Sequence, residues 1–305
     1  MTQNKTINIG PHSAQLSCLN VKGEQMKIDG ESFYKISNVN GMRPFFMSIV
    51  SHSNHWMFIS STGALSAGRK DSDAALFPYY TDDKITDSFE TTGSKSIFLV
   101  EKNGQKFLWE PFSLRQASLY KISRNLYKNA FGNKVIFEEI NHDLEIRFTY
   151  EWNSTDRYGF VRKSSLYNTA NSAVKVQFID GIQNVLPYGV EEALQNGTSN
   201  LVDAYKRTEL VEGSSLAIFA LSAIIVDKAE PSEALKSNVA WSIGLENPTI
   251  LLSSLQLDVF RRGQEVSQET DIKAEKGAYF LQSEVALESN GSKEWLLVAD
   301  VNQTI

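Results

Sequence analysis

Short segments in which apolar and polar residues alternate recur along the chain, each bounded by turn-forming residues. They include Ser32 to Ser37 (SFYKIS), His55 to Ser61 (HWMFISS), Ser96 to Phe112 (SIFLVEKNGQKFLWEPF), Lys134 to Ile140 (KVIFEEI) and Leu144 to Trp152 (LEIRFTYEW). A period of two sends successive side chains to opposite faces, so these segments predict β-strands. Asn103-Gly104 splits the longest of them into a hairpin, because both residues tolerate the positive φ of a type I′ turn. Asn141-His142-Asp143 turns the next pair in the same way. The rhythm continues through Phe160 to Asn168, Ala173 to Asp180, Ser215 to Asp227, Thr249 to Phe260, Gly277 to Leu287 and Lys293 to Val301. Helical spacing is confined to Leu201 to Leu210 and to Pro231 to Gly244, where Ser232 as N-cap and Glu233 in the first turn predict one short helix.

No βαβ alternation, internal repeat, charge block or Pro/Ser-rich linker interrupts this pattern. The expectation is an all-β fold with few short helices, a large two-sheet antiparallel sandwich forming one domain over residues 1–305. The last strand segment ends at Asn302 to Ile305 with no closing tail, so the chain is expected to be the N-terminal part of a longer multidomain protein.

Composition narrows the function classes. A net charge of −6 with scattered basic residues lacks the stripe that binding nucleic-acid phosphate requires, so nucleic acid is excluded as an expected partner. The lone Cys18 rules out an intramolecular disulfide and a cysteine metal cluster. The N-terminal MTQNKTINIG has no apolar stretch of the secretory kind, and the longest apolar run, Leu216 to Val226, is too short to span a bilayer. A soluble cytoplasmic protein with no membrane partner is expected.

The order of segments from Trp56 onward resembles the N-terminal domain of the inverting disaccharide phosphorylases typified by cellobiose phosphorylase, the glycosyltransferase 36-like proteins. The stretches that carry it are STGALSAGRKDSDAALFPYYTDDKI (Ser61 to Ile85), the run from Leu144 to Leu186, NLVDAYKRTEL (Asn200 to Leu210), and Arg262-Gly263. Where that family often has Gly-Tyr-Ser-x-Trp, this chain has GALSAG. The resemblance implies a supersandwich of the galactose mutarotase-like kind preceding a helical catalytic barrel that holds the general acid and the phosphate site. It therefore implies a non-catalytic scaffold that packs on a C-terminal barrel, supports a homodimer and lends a loop to the rim of a carbohydrate site. No cofactor is implied.

The stretch from Gly63 to Asp83 reads as an unusually long loop and is the first choice for that rim. Gly63 and Gly68 permit unusual backbone angles, Arg69, Asp71 and Asp73 offer charged hydrogen bonds, and Tyr79 and Tyr80 offer faces that stack on sugar rings. The bland alternative is an Arg69–Asp73 pair bracing the loop while the tyrosines fill core. Asp82 and Asp83 are adjacent and would point to opposite faces of a strand, so they make a poor acid/base pair for glycosidic chemistry, whose inverting form needs carboxyls roughly 6.5–9.5 Å apart. Both remain candidates for hydrogen bonding a sugar. Trp109, beside Glu110-Pro111, is the tryptophan expected to reach a surface groove, and most of the others are expected in the core. A mutarotase-like sugar epimerase would instead need His52, His55 or His142 to converge with Glu138 or Glu139. A free-standing carbohydrate-binding module is the other alternative. The spacing of His52 and His55 falls on a strand pattern and implies no metal.

Overall fold

In the computed structural model, which describes residues 7–15, 20–223 and 236–304, the alternating segments fold as antiparallel strands. Among the described residues they assemble into sheets of eleven, five, four and two strands. The large sheet runs from Asp271–Lys273 through Lys206–Leu210, Ala217–Leu221, Lys236–Ile243, Ser292–Thr304, Gly159–Asn168, Ile146–Thr155, Val135–Asn141, Ile122–Asn129 and Glu31–Ser37 to Lys22–Ile28. Behind it lies a five-stranded sheet in the order Gln105–Trp109, Gly93–Lys102, Val174–Val185, Gly277–Leu287 and Thr249–Leu251. A four-stranded flanking sheet, Phe46–Ile49, His55–Ser60, Leu65–Arg69 and Ala75–Phe77, joins this back layer where the Leu186 amide donates to the Leu76 carbonyl.

The main core lies between the layers. Phe148, Tyr150 and Trp152 of the large sheet meet Phe98 and Phe178 of the five-stranded sheet and Phe77 of the flanking sheet. A second core, with Ile97, Ile179, Phe280, Leu257 and Phe260, covers the other face of the five-stranded sheet. Its strands are buried on both faces, which is why runs such as SIFLV lose the alternation seen elsewhere. The Asn103-Gly104 turn forms as its composition predicts, with φ of 52° and 72°.

Two expectations are corrected. Thr249 to Phe260 is not one strand: the strand ends at Leu251, and Leu257–Arg261 is a helix whose Leu257 and Phe260 cap the second core. The helical spacing at Leu201 to Leu210 belongs to a longer helix, Glu192–Tyr205, which gives way to a strand at Lys206. Ser232 and Glu233 lie outside the described residues, as does Cys18, while Lys236–Ile243 of the same segment is a strand. No helix among the described residues is long and apolar enough to cross a membrane.

Candidate functional site

The stretch from Gly63 to Asp83 is built rather than looped. It supplies strands Leu65–Arg69 and Ala75–Phe77, then the start of helix Asp82–Asp87. Gly63 takes φ of 95°, but Gly68 is needed for space: a Cβ there would stand 2.5 Å from the Ala74 carbonyl oxygen and 2.6 Å from Trp56 Cζ2.

This construction gives most of the predicted polar residues structural partners. Arg69 donates from Nη1 to Asp300 Oδ2 at 2.9 Å, from Nη2 to Asp156 Oδ1 at 3.1 Å and from Nε to Asn54 Oδ1 at 2.8 Å. It thus ties the flanking sheet to the last strand of the large sheet, and the Arg69–Asp73 pair does not form. Asp73 instead accepts the Glu192 amide at 2.9 Å, satisfying one of the open donors at the start of helix Glu192–Tyr205. Asp71 lies 3.7 Å from Lys70, and its carbonyl takes the Trp56 indole N–H at 3.0 Å. Tyr79 stands edge-on to Trp56 at 5.6 Å, in an aromatic row with Phe58 and Phe46 on the flanking sheet. Trp109 reaches no groove: it is 1% exposed, packs on Phe98 at 5.3 Å and donates to Glu139 Oε1 at 2.9 Å.

Tyr80 has a different surrounding. It lines a cavity of about 370 Å³ between helix Asp82–Asp87 and helix Glu192–Tyr205, together with Lys84, Asp87, Ser88, Gln195 and Asn196. The second helix breaks its own geometry at Thr198, where φ is −141° and ψ is 39°, so Ser199 also reaches the cavity from the far side of the kink. Gln195 is 6% exposed, and its amide oxygen has no hydrogen-bond partner. A buried amide oxygen left short of a partner costs about 1–3 kcal/mol. Asp82 and Asp83 form the first turn of helix Asp82–Asp87 and do not line the cavity. The Thr81 hydroxyl donates to Asp83 and holds its carboxyl below the ordinary carboxylate range.

Helix Asp82–Asp87 is a ridge between two cavities, because Asp87 also lines a second one of about 360 Å³. Sequence reasoning pointed to the first half of the ridge and missed the second cavity, whose walls come from six separate stretches between Val39 and Phe137. Nothing local in the sequence brings those stretches together.

The groups that an epimerase would need are dispersed. Glu138 and Glu139 are neighbours on one strand and face opposite ways: Glu138 takes Tyr127 and Asn125 at 2.7 Å, while Glu139 takes Trp109, Arg124 and the Phe112 amide. His142 lies exposed in its turn, with Nε2 2.8 Å from Ser123 Oγ. His55 is buried against Phe160, and burial, together with the Arg69 charge, pulls its imidazole down to about 4.

The remaining charges hold the sandwich together. Arg162 and Asp180, both fully buried, pair through two hydrogen bonds of 2.7 and 2.9 Å, and Asp180 also accepts from Ser96, Ser164 and Trp295. Lys95 bridges Glu90 and Glu110, and Arg261 clamps Glu110 from the other side. Burial alone would raise the Glu110 carboxyl, but Arg261 and Lys95 prevail and leave it below its ordinary value. Among the described residues no group of three or more His, Cys, Asp or Glu is placed to hold a metal ion.

No family model matches the sequence, and no match is found among curated proteins. Among solved structures the chain is similar to a polysaccharide lyase, with a TM-score of 0.44 and 13% identity over 86% of this chain and 33% of that one. It is also similar to a bacterial glucoamylase complexed with acarbose, with a TM-score of 0.41 and 13% identity over 93% of this chain and 36% of that one. A third similarity is to a galactose mutarotase-like protein from Lactobacillus casei ATCC 334, with a TM-score of 0.42 and 10% identity over 85% of this chain and 100% of that one. The chain thus spans about a third of the lyase and of the glucoamylase, and the full length of the mutarotase-like protein. Identities this low transfer no residue roles.

Proposed function

We propose that this chain is a non-catalytic carbohydrate-binding domain of a larger carbohydrate-active protein, and that the Tyr80 cavity takes a sugar ring. The observation that carries the reading is the cavity's composition. It combines one aromatic face with hydroxyl, amide and charged groups along its lining, which are what a ring with an apolar face and equatorial hydroxyls requires. The resemblance of the segment order to the disaccharide phosphorylase-type N-terminal domain supports the wider reading, in which a C-terminal helical barrel supplies the acid and the phosphate site. In that reading the ridge Asp82–Asp87 is the edge presented to the barrel, and the homodimer would be a property of the whole protein.

Isothermal titration of the chain with neutral α- and β-linked glucose trisaccharides tests the cavity. Binding is expected, and Tyr80→Ala is expected to weaken it about tenfold, the worth of one stacked aromatic face. Binding unchanged in Tyr80→Ala and in Gln195→Ala would sink the assignment. Anomer interconversion or disaccharide cleavage by the purified chain would sink the non-catalytic part.

A further inference from the structure

We propose that the second cavity, on the other side of the Asp87 ridge, is an additional subsite for a neutral sugar ring that presents a broad apolar face. The inference takes its class of ligand from the sugar-binding reading of the Tyr80 cavity, but the site stands on its own geometry. Its volume of about 360 Å³ lies within the range of small-ligand pockets. Its walls are more apolar than those of the first cavity, with Phe89, Phe112, Phe137, Leu114, Val39 and Met42 around it. Phe89 is half-buried, lies outside the main core and lines the cavity.

The polar end is held ready by one carboxylate. Glu139, 1% exposed, accepts Arg124 Nε at 2.5 Å and the Phe112 amide at 2.7 Å, besides the Trp109 indole. That single group therefore fixes both the cation and an aromatic wall. Phe112 pays for its place with φ of 65°, a left-handed backbone that a bulky side chain adopts only when its surroundings impose it. Arg124 also donates from Nη2 to the Ser113 carbonyl at 2.8 Å, and its Nη1 makes no hydrogen bond among the described residues. Nη1 is thus a donor available to the ligand, with the hydroxyls of Ser61 and Thr62 also on the lining.

The charge balance selects the ligand. Glu139 neutralises Arg124, which leaves Asp87 as the uncompensated charge on the lining. A carboxylate or sulfate entering the cavity would meet a net negative surface, whereas a neutral ring can donate hydroxyls to Asp87 and accept from Arg124. The predicted order of preference is therefore neutral sugar over uronic acid.

Titration of the whole chain, followed by ligand-observed and protein-observed NMR, reads the two subsites separately. With a neutral glucose trisaccharide as probe, Tyr80→Ala is expected to weaken the binding event at the first cavity about tenfold and Phe89→Ala the event at the second cavity about tenfold, each leaving the other site unchanged. Leu114→Arg, at a 60% exposed rim position, is expected to block the same event as Phe89→Ala without disturbing the core. Binding abolished by Tyr80→Ala and untouched by both Phe89→Ala and Leu114→Arg overturns the second subsite and leaves the first standing. The reverse pattern overturns the first and keeps the second. A galacturonate trimer that binds the Phe89 site more tightly than the neutral probe overturns the choice of ligand.

Discussion

His55 shows how one residue carries a pH dependence unrelated to catalysis. Its ring is enclosed beside Phe160, and Ser53 Oγ stands 2.7 Å from Nδ1. Burial and the Arg69 charge lower its native pKa to about 4, from 6.5 in the unfolded chain. Between those values the unfolded chain binds the extra proton, so stability falls as pH drops through this window and levels off below it. The effect is at most about 3 kcal/mol. Urea unfolding at about pH 7.5 and about pH 4.5 should show a larger loss for the native sequence than for His55→Gln, which lacks the titrating ring. Equal losses would mean that His55 does not titrate as described. Arg69, one of the residues that the sequence offered for sugar contact, instead has its whole fork taken by Asp300, Asp156 and Asn54.

At the scale of elements, the flanking sheet decides where the ridge lies. Strand Leu65–Arg69 pairs with His55–Ser60 on one side and Ala75–Phe77 on the other, with a register shift between Ala67 and Gly68. The shift folds the chain back so closely that Gly68 has the Ala74 carbonyl and the Trp56 ring against it. Gly68→Ala is expected to destabilise the chain by about 2 kcal/mol, because backbone rather than a flexible side-chain tip must move. Chemical denaturation checks this, and a midpoint within error of the parent would refute it. The adjoining helix Asp82–Asp87 is short and packs through Ile85 alone, so its position comes from the sheet that precedes it.

At the scale of the molecule, the large sheet and both back sheets contribute to one main core, in which Trp109, Trp152 and Trp295 are enclosed. Tryptophan fluorescence and far-ultraviolet circular dichroism should therefore report a single coincident unfolding transition. Separated transitions would show that the sheets unfold independently. The sequence by itself determined the class of fold, because a period-two pattern and hairpin signals such as Asn103-Gly104 act over neighbouring residues and bury one face whatever the topology. It also located one side of the candidate site, since Tyr80 stands in a stretch too rich in polar and aromatic groups to read as plain core. What only the tertiary structure decided was which groups meet. Asp73 reaches a helix that starts at Glu192, Arg69 reaches Asp300, and Glu139 gathers Trp109, Phe112 and Arg124 into one wall. Such contacts join residues far apart in the chain and depend on how strands are ordered in their sheets. A local pattern carries no information about that order, so the second cavity and the occupied fork of Arg69 became visible only once the sheets were assembled.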